Sequence, residues 1–415
     1  MNTQINTPVK LEQRKMYNFP WSKTDNPGAW IEVTDICNMS CPGCFRKNNF
    51  EGHRPLDEIK KEILQCIEMT NCSRLSISGG EPLLYPDIIE VVKFISSHGL
   101  KPIILTNGIL LTSEFAEELK KAGLFQYFLH VDNGQNRPGW INKTEAEMNH
   151  LRQYYVDMVK KTGKVQCGFN MTIRRSNLHE VTDVVKWYRS NIDRCTHLSF
   201  IAFRGIPKDI EDFMCLNDNK LERDGLPEAA RSTEDISISA EDIFRELYPA
   251  FISIYPSAYL HGTLKSDSFK LITTNNIGSK REIFGSVGPK TMEFYQVFYH
   301  ILHGKYDATT PGIGKLIFFM ALFDKQVRQA LGRFLIAVLK NPFRLFERFF
   351  IQSFVIQQPF EVIDGGLNLC DGCINLMPYK GEMINSCRLD EYRLLGGPVN
   401  YSYVYRDIAK INSTI

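Results

Sequence analysis

Cys37-Asn38-Met39-Ser40-Cys41-Pro42-Gly43-Cys44 sets three cysteines at C-x3-C-x2-C spacing, directly after a strand in which Ile31 and Val33 alternate with polar residues. Three thiolates on one short loop can hold three irons of a 4Fe-4S cluster. Such clusters normally take four cysteines, so the fourth iron is left open to a small molecule. The competing reading is zinc, which wants four ligands, usually from two paired knuckles. The only nearby candidate for that fourth ligand is His53.

On either side of this loop, from about Ala29 to Phe203, strand and helix signals alternate. Pro55 opens a helix with apolar residues at Leu56, Ile59, Ile63 and Ile67, a helical period. Arg74 to Ser78 reads as a strand ended by Gly79-Gly80, and Pro86 to His98 as a helix with Gly99 at C′. Pro102 to Thr106 is a strand, broken by Asn107-Gly108, and Thr112 caps the next helix. Phe125 to Val131, Val165 to Ile173 and Leu198 to Phe203 read as strands, with Thr144 to Lys161 and Glu180 to Ser190 as the helices between them. About six βα units imply an α/β fold with a parallel sheet and helices outside it. A closed barrel needs eight. Residues 29–206 are therefore expected to form a partial (β/α)6 TIM-like barrel, after an N-terminal extension over 1–28.

Beyond Gly205 the pattern collapses. Pro207 to Glu234 is polar and irregular, and Ser239-Ala240-Glu241-Asp242 is a capping box before Ile243. A mostly helical insertion is expected, made of an irregular and mixed part (207–314) and basic aromatic amphipathic helices (315–360), before a small cysteine-cluster region at 361–415.

The chain has 415 residues, a net charge of +2 and 23% charged residues, which gives no sign of disorder or of nucleic-acid binding. Its 11 cysteines are odd in number, and Met1 to Lys10 has no secretory pattern. A cytoplasmic, thiol-reduced setting is expected, where clustered cysteines bind metal more often than they pair. The longest wholly apolar run, Leu316 to Phe323, is far short of the ~20 residues that span a bilayer.

Ser78-Gly79-Gly80-Glu81-Pro82 closes the second strand. Its glycines admit a close backbone approach, Glu81 can accept from an ammonium group, and ligands bind at the ends of parallel strands. C-x3-C-x2-C followed one βα unit later by Gly-Gly-Glu-Pro resembles the radical S-adenosylmethionine (radical SAM) superfamily, over about Ala29 to Gly205. The resemblance implies that Cys37, Cys41 and Cys44 ligate a 4Fe-4S cluster whose open iron chelates the methionine end of SAM. One electron then cleaves the sulfonium to a 5′-deoxyadenosyl radical, which abstracts hydrogen from substrate. It also places Phe45 beside the adenine and Gly79, Gly80 and Glu81 at the methionine amine. Asn107, Asp132, Asn170 with Thr172, and Arg204 fall at the later strand ends, where they reach ribose or carboxylate or serve as turn and cap residues. A flavodoxin or ferredoxin is the implied electron donor.

Cys370, Cys373 and Cys387 form a second group at C-x2-C-x13-C. It resembles the auxiliary-cluster region of twitch- or SPASM-type radical SAM enzymes and is similar in spacing to the GTP cyclase of molybdenum-cofactor synthesis. The chain ends in Ile411-Asn412-Ser413-Thr414-Ile415, without that enzyme's arginine-containing Gly-Gly tail, which argues against GTP. Zinc or an incidental thiol group is the alternative to a second 4Fe-4S cluster, and Asp371 or Asp390 is a candidate fourth ligand. Cys66, Cys72, Cys167 and Cys195 read as small core residues.

Residues 315–356 carry seven basic side chains against two acids. Val327, Leu331, Phe334, Leu335 and Val338 form one helical stripe, and beyond Pro342 a second helix would place Phe343, Phe346, Phe350 and Phe354 on one face. Such a pair suits an anionic membrane surface or an apolar substrate channel, or else packs on the barrel with its basic side in water. The expectation is a radical SAM enzyme acting on a hydrophobic, lipid-like small molecule. A ribosomally made peptide is the alternative substrate, and a non-catalytic metal-binding or redox-sensing protein the alternative class.

Overall fold

The computed structural model describes residues 11–398, apart from 50, 204–214, 217–218, 221–237, 249, 252–253, 309–311 and 364–365. Arg204, most of the polar stretch after it and the C-terminal tail lie outside the described residues.

The expected barrel is present and open. Strands β2 (Gly28–Thr34), β3 (Arg74–Gly79), β4 (Lys101–Thr106), β5 (Gln126–His130), β6 (Gln166–Ile173) and β7 (His197–Ala202) run parallel, each paired with the next. Helices α1 (Leu56–Thr70), α2 (Ile88–Ser97), α3 (Ser113–Lys121), α4 (Glu145–Thr162) and α5 (Val181–Ser190) connect them. Their ends follow sequence signals. Thr112 accepts from Phe115 N at 3.2 Å, and Thr144 and Glu147 close a capping box at the start of α4.

Period-two alternation separates the two faces of this sheet. Leu75, Ile77, Tyr127, Leu129, Phe169, Met171, Leu198 and Phe200 point out and pack with Ile59, Ile63, Val91, Val92 and Ile95 in the main core. The intervening Ser76, Ser78, Gln126, His130, Asn170, Thr172 and Ser199 line a cavity inside the curve of the sheet. Cys66, Cys72, Cys167 and Cys195 are buried core residues, as read.

The region after the barrel corrects two expectations. The insertion is mixed rather than mostly helical: α6 (Ala240–Leu247), opened by the expected Ser239–Asp242 capping box, is followed by β8 (Ala258–Leu260), β9 (Leu271–Gly278), β10 (Ile283–Ser286) and α7 (Pro289–His303). After α8 (Lys325–Lys340), residues Phe350–Gln357 form strand β11 and not a second helix. β11 pairs parallel with β7 and antiparallel with β9, so the parallel run continues for a seventh strand before the sheet reverses. β8 pairs with β9, and β1 (Tyr17–Asn18) adds to β8 at the far edge. A satellite core under this extension holds Phe19, Trp21, Phe284, Val327, Phe334 and Phe349. Two short hairpins follow, β12 (Glu361–Ile363) with β13 (Gly366–Asn368) and β14 (Leu376–Tyr379) with β15 (Glu382–Asn385), and then helix α9 (Leu389–Leu395).

Candidate functional site

One cavity of about 360 Å³ is lined by both cysteine groups: Cys37, Cys41 and Cys44 from the loop after β2, and Cys370, Cys373 and Cys387 from the C-terminal region. Phe45, Gly79, Gly80, Asn107, Asp132 and Asn170 also line it. Of the described residues that the resemblance places at SAM, Glu81 alone does not.

The first cysteine loop is fixed from several sides. Asn49 Oδ1 accepts from Cys37 N at 3.0 Å, and Cys44 N donates to Cys41 O at 3.1 Å. Gly43, at φ +74°, lets the loop tuck against Phe203 and Arg174, where a Cβ would lie 2.5 Å from the phenyl ring. Burial raises all three thiols, Cys41 to about 12, with Cys44, Asp132 and Cys37 adding to the rise there. Without metal these are neutral thiols; a cationic iron centre is what deprotonates them. Beside Cys44, the buried Arg46 Nη1 and Asn48 Oδ1 have no hydrogen-bond partner among the described residues. Among the described residues no three His, Cys, Asp or Glu side chains converge on a single ion position. A cubane does not require that, because each cysteine holds a different iron. The donor set, the orphaned polar atoms and the shared cavity fit a 4Fe-4S cluster.

Gly79-Gly80-Glu81 turns out to build the loop's support. Gly80 N donates to Thr34 O and Glu81 N to Ile36 O, both at 2.8 Å. A Cβ on Gly79 (φ +137°) would sit 2.0 Å from Thr34 O, and one on Gly80 2.4 Å from Ile36 O. The glycines thus let β3 lie against the backbone that enters the cysteine loop. The Glu81 carboxylate accepts from Leu83 N (3.0 Å), Thr106 Oγ1 (2.6 Å) and Asn107 N (2.7 Å). It is buried and clamps the ends of β3 and β4. Asn107 extends the clamp, donating from Nδ2 to Asn38 Oδ1 at 2.7 Å.

Across the cavity, Asp132 accepts from Gly134 N and Thr172 N, each at 3.0 Å, and contacts His130 Nε2 at 2.8 Å. Burial works against its charge, but His130 and these donors hold its carboxyl below the usual range. His130 and Arg174 were not singled out in the sequence, and both line the cavity. His130 alternates with Phe128 on the inner face of β5, the one signal that pointed to it. Arg174 donates to Pro42 O inside the cysteine loop and lies over the Phe203 ring at 4.3 Å.

The C-terminal cysteines are docked onto the barrel. Gly372, at φ +70°, turns tightly enough that a Cβ would lie 2.4 Å from Trp21 O, and Asn26 Nδ2 donates to Cys373 O at 3.0 Å. The Cys370 thiol donates to the Cys373 sulfur, which raises the first and lowers the second. Asn375 N also donates to Cys373 Sγ at 3.4 Å, the kind of contact that tunes a metal thiolate. Arg46, two residues after Cys44, forms a buried ion pair with Glu32 and donates to Ser386 O at 2.6 Å, next to Cys387. Asp390 accepts from Lys47 N at 2.7 Å, so it belongs to the docking contact. Asp371 lies 3.6 Å from His261. Neither aspartate lines the cavity.

An open parallel barrel with a three-cysteine loop at its strand ends is the class that fold and site define. Residues 31–214 match the model of the radical SAM superfamily: the chain carries a radical SAM domain. It is 30% identical over 165 residues to an AdoMet-dependent heme synthase of Methanosarcina barkeri, covering 37% of this chain and 44% of that protein. It is 34% identical over 105 residues to a probable GTP 3′,8-cyclase of Methanococcus maripaludis, covering 25% and 35%. The matched region thus spans less than half of either relative. Among solved structures, Streptococcus suis SuiB bound to S-adenosylmethionine aligns with 16% identity and a TM-score of 0.38, over 55% of this chain and 48% of that one.

Proposed function

We propose that the chain is a radical SAM enzyme with two iron–sulfur clusters, acting on a largely apolar small molecule held between them. The observation that carries this reading is the single cavity reached by both sets of three cysteines. Cys37, Cys41 and Cys44 would hold a 4Fe-4S cluster, which when bound would supply the electron for reductive cleavage of SAM. The chain's own part is positioning and exclusion of water. Gly79, Gly80 and Asn107 hold the cysteine loop at the strand ends. Asp132, kept ionised with His130 against it, offers acceptors to a ribose or an amine. Phe19, Trp21, Phe128, Phe203, Phe360 and Leu369 give the cavity apolar walls, and its size suits a small-molecule site. Arg74, Gln126 and His197 at the floor are polar; Gln126 Oε1 is buried without a partner among the described residues, which favours a substrate with one polar end. Cys370, Cys373 and Cys387, which line the same cavity, would hold the second cluster.

Anaerobic reconstitution tests this. About eight irons and eight sulfides per chain are expected, and comparison of apolar metabolites from cells with and without the protein should reveal a substrate. Zinc in place of iron would refute the reading; about four irons per chain would refute its second cluster.

A further inference from the structure

Four consecutive segments lie beside the satellite core of Phe284, Val327, Phe334 and Phe349, and each also exposes large apolar side chains. On α7, Phe294, Val297, Phe298, Ile301 and Leu302 are exposed. That i, i+3, i+4, i+7, i+8 spacing is a whole helix face, and Phe294 and Phe298 stack on each other at 5.5 Å between centroids. In the 3₁₀ segment Gly314–Leu322, residues Ile313, Leu316, Phe319 and Leu322 fall at every third position and are exposed, one edge of a three-residue turn. On α8 the core side is Val327, Ala330, Phe334 and Ala337, while Leu335, Ile336 and Leu339 face out. In the turn Pro342–Phe346, Phe343 and Phe346 follow. Leu339, Phe343 and Phe346 are 83%, 81% and 82% exposed.

The acids around these residues are all paired or buried: Glu293 pairs with Lys290 and Glu282 with Arg344. Asp307 is buried against Arg74, Asp324 caps α8 through Gln326 N and Val327 N, and Glu347 pairs with Arg344. Lys325, Arg328 and Lys340 are exposed on α8 and make no ion pair among the described residues. Arg328 precedes Leu335 by seven residues, two turns along the same outward face.

We propose that the exposed apolar residues of 294–302, 313–322 and 335–346 form a peripheral docking surface for an anionic lipid bilayer. Exposed apolar patches of this kind mark interaction sites, and apolar residues among unpaired lysine and arginine complement acidic headgroups. A second copy of the chain is the poorer occupant, because a two-fold interface sets a patch against itself. Each copy would bring the surplus of +5 carried by residues 315–356. Among the described residues no helix is long and apolar enough to cross a membrane, so the contact lies in the interface. None of the exposed apolar residues of this surface lines the cavity, and the contact needs neither cluster.

The test is cosedimentation of the anaerobically prepared full chain with vesicles of phosphatidylcholine, alone or mixed equally with phosphatidylglycerol. Partition onto the mixed vesicles, weakened by salt, is expected. Phe319→Asp/Leu339→Asp/Phe346→Asp should lower it by about a hundredfold or more with an unchanged circular dichroism spectrum, and Tyr154→Ser on α4 should leave it intact. Absence of partition, or equal partition of the triple variant, overturns the proposal. So does a homodimer that the triple variant dissolves while vesicles bind nothing. Release of 5′-deoxyadenosine in the same preparation reports separately on the cluster chemistry.

Discussion

Arg46→Met probes the joint between the two halves of the site. Arg46 and Glu32 are a buried pair whose side chains are 3% and 5% exposed. Nε donates to Glu32 Oε1 at 2.6 Å and Nη2 to Ser386 O at 2.6 Å. Methionine fills much of the volume but leaves the Glu32 carboxylate buried, with only Trp30 Nε1, at 3.2 Å, donating to it among the described residues. Removing one partner of a buried pair costs about 3–5 kcal/mol. The second loss, at Ser386, frees the segment that carries Cys387. Urea unfolding of the apoprotein should show a loss in that range, and hydrogen exchange should speed up at residues 386–390. Glu32→Gln/Arg46→Met should recover about 1–3 kcal/mol relative to the sum of the single changes, because the orphaned charge is gone. A loss below about 1 kcal/mol for Arg46→Met, with exchange unchanged, would refute the reasoning.

Three more outcomes follow from the same geometry. Gly79→Ala sets a Cβ 2.0 Å from Thr34 O at φ +137° and should cost roughly 2–4 kcal/mol, read as a lower melting temperature; an unchanged melt would contradict the close approach. His197 lies on the cavity floor, where burial first and Arg74 second hold its imidazole down to about 3. The unfolded chain, with a pKa of about 6.5, takes up a proton that the folded chain refuses, so this contribution is complete above that pH. It falls by about 1.4 kcal/mol per pH unit between roughly 6.5 and 3; denaturation across that range should be shallower for His197→Gln. Cys373→Ala should reduce reconstituted iron from about eight to about four per chain while reductive release of 5′-deoxyadenosine persists, and an unchanged iron content would remove the second cluster.

The barrel was legible because its strands and helices alternate within local windows: Pro55, Thr112 and Thr144 all mark helix starts the structure keeps. The seventh parallel strand was not. Phe343, Phe346, Phe350 and Phe354 satisfy a helical period, whereas Phe350–Gln357 is held as a strand by pairing with His197–Ile201, a contact no local window contains. On α8 the large residues misled in the same way. The buried stripe uses Ala330 and Ala337, and Leu335 points outward. Both cysteine groups could be read from spacing, but their meeting in one cavity could not, since it depends on Arg46, Asn26 and Asp390 acting across more than 300 positions of sequence. Glu81 was read as a ligand because its motif names it; the three donors that occupy it come from the end of β4, the residue after it and its own turn.

The most direct test of the central claim is a single-turnover assay under anaerobic conditions. Reconstituted protein is mixed with SAM and dithionite, and 5′-deoxyadenosine is quantified beside Cys41→Ala. The account predicts release by the wild-type chain and none by the variant. No release from a wild-type chain carrying its full iron, or equal release from the variant, would contradict it.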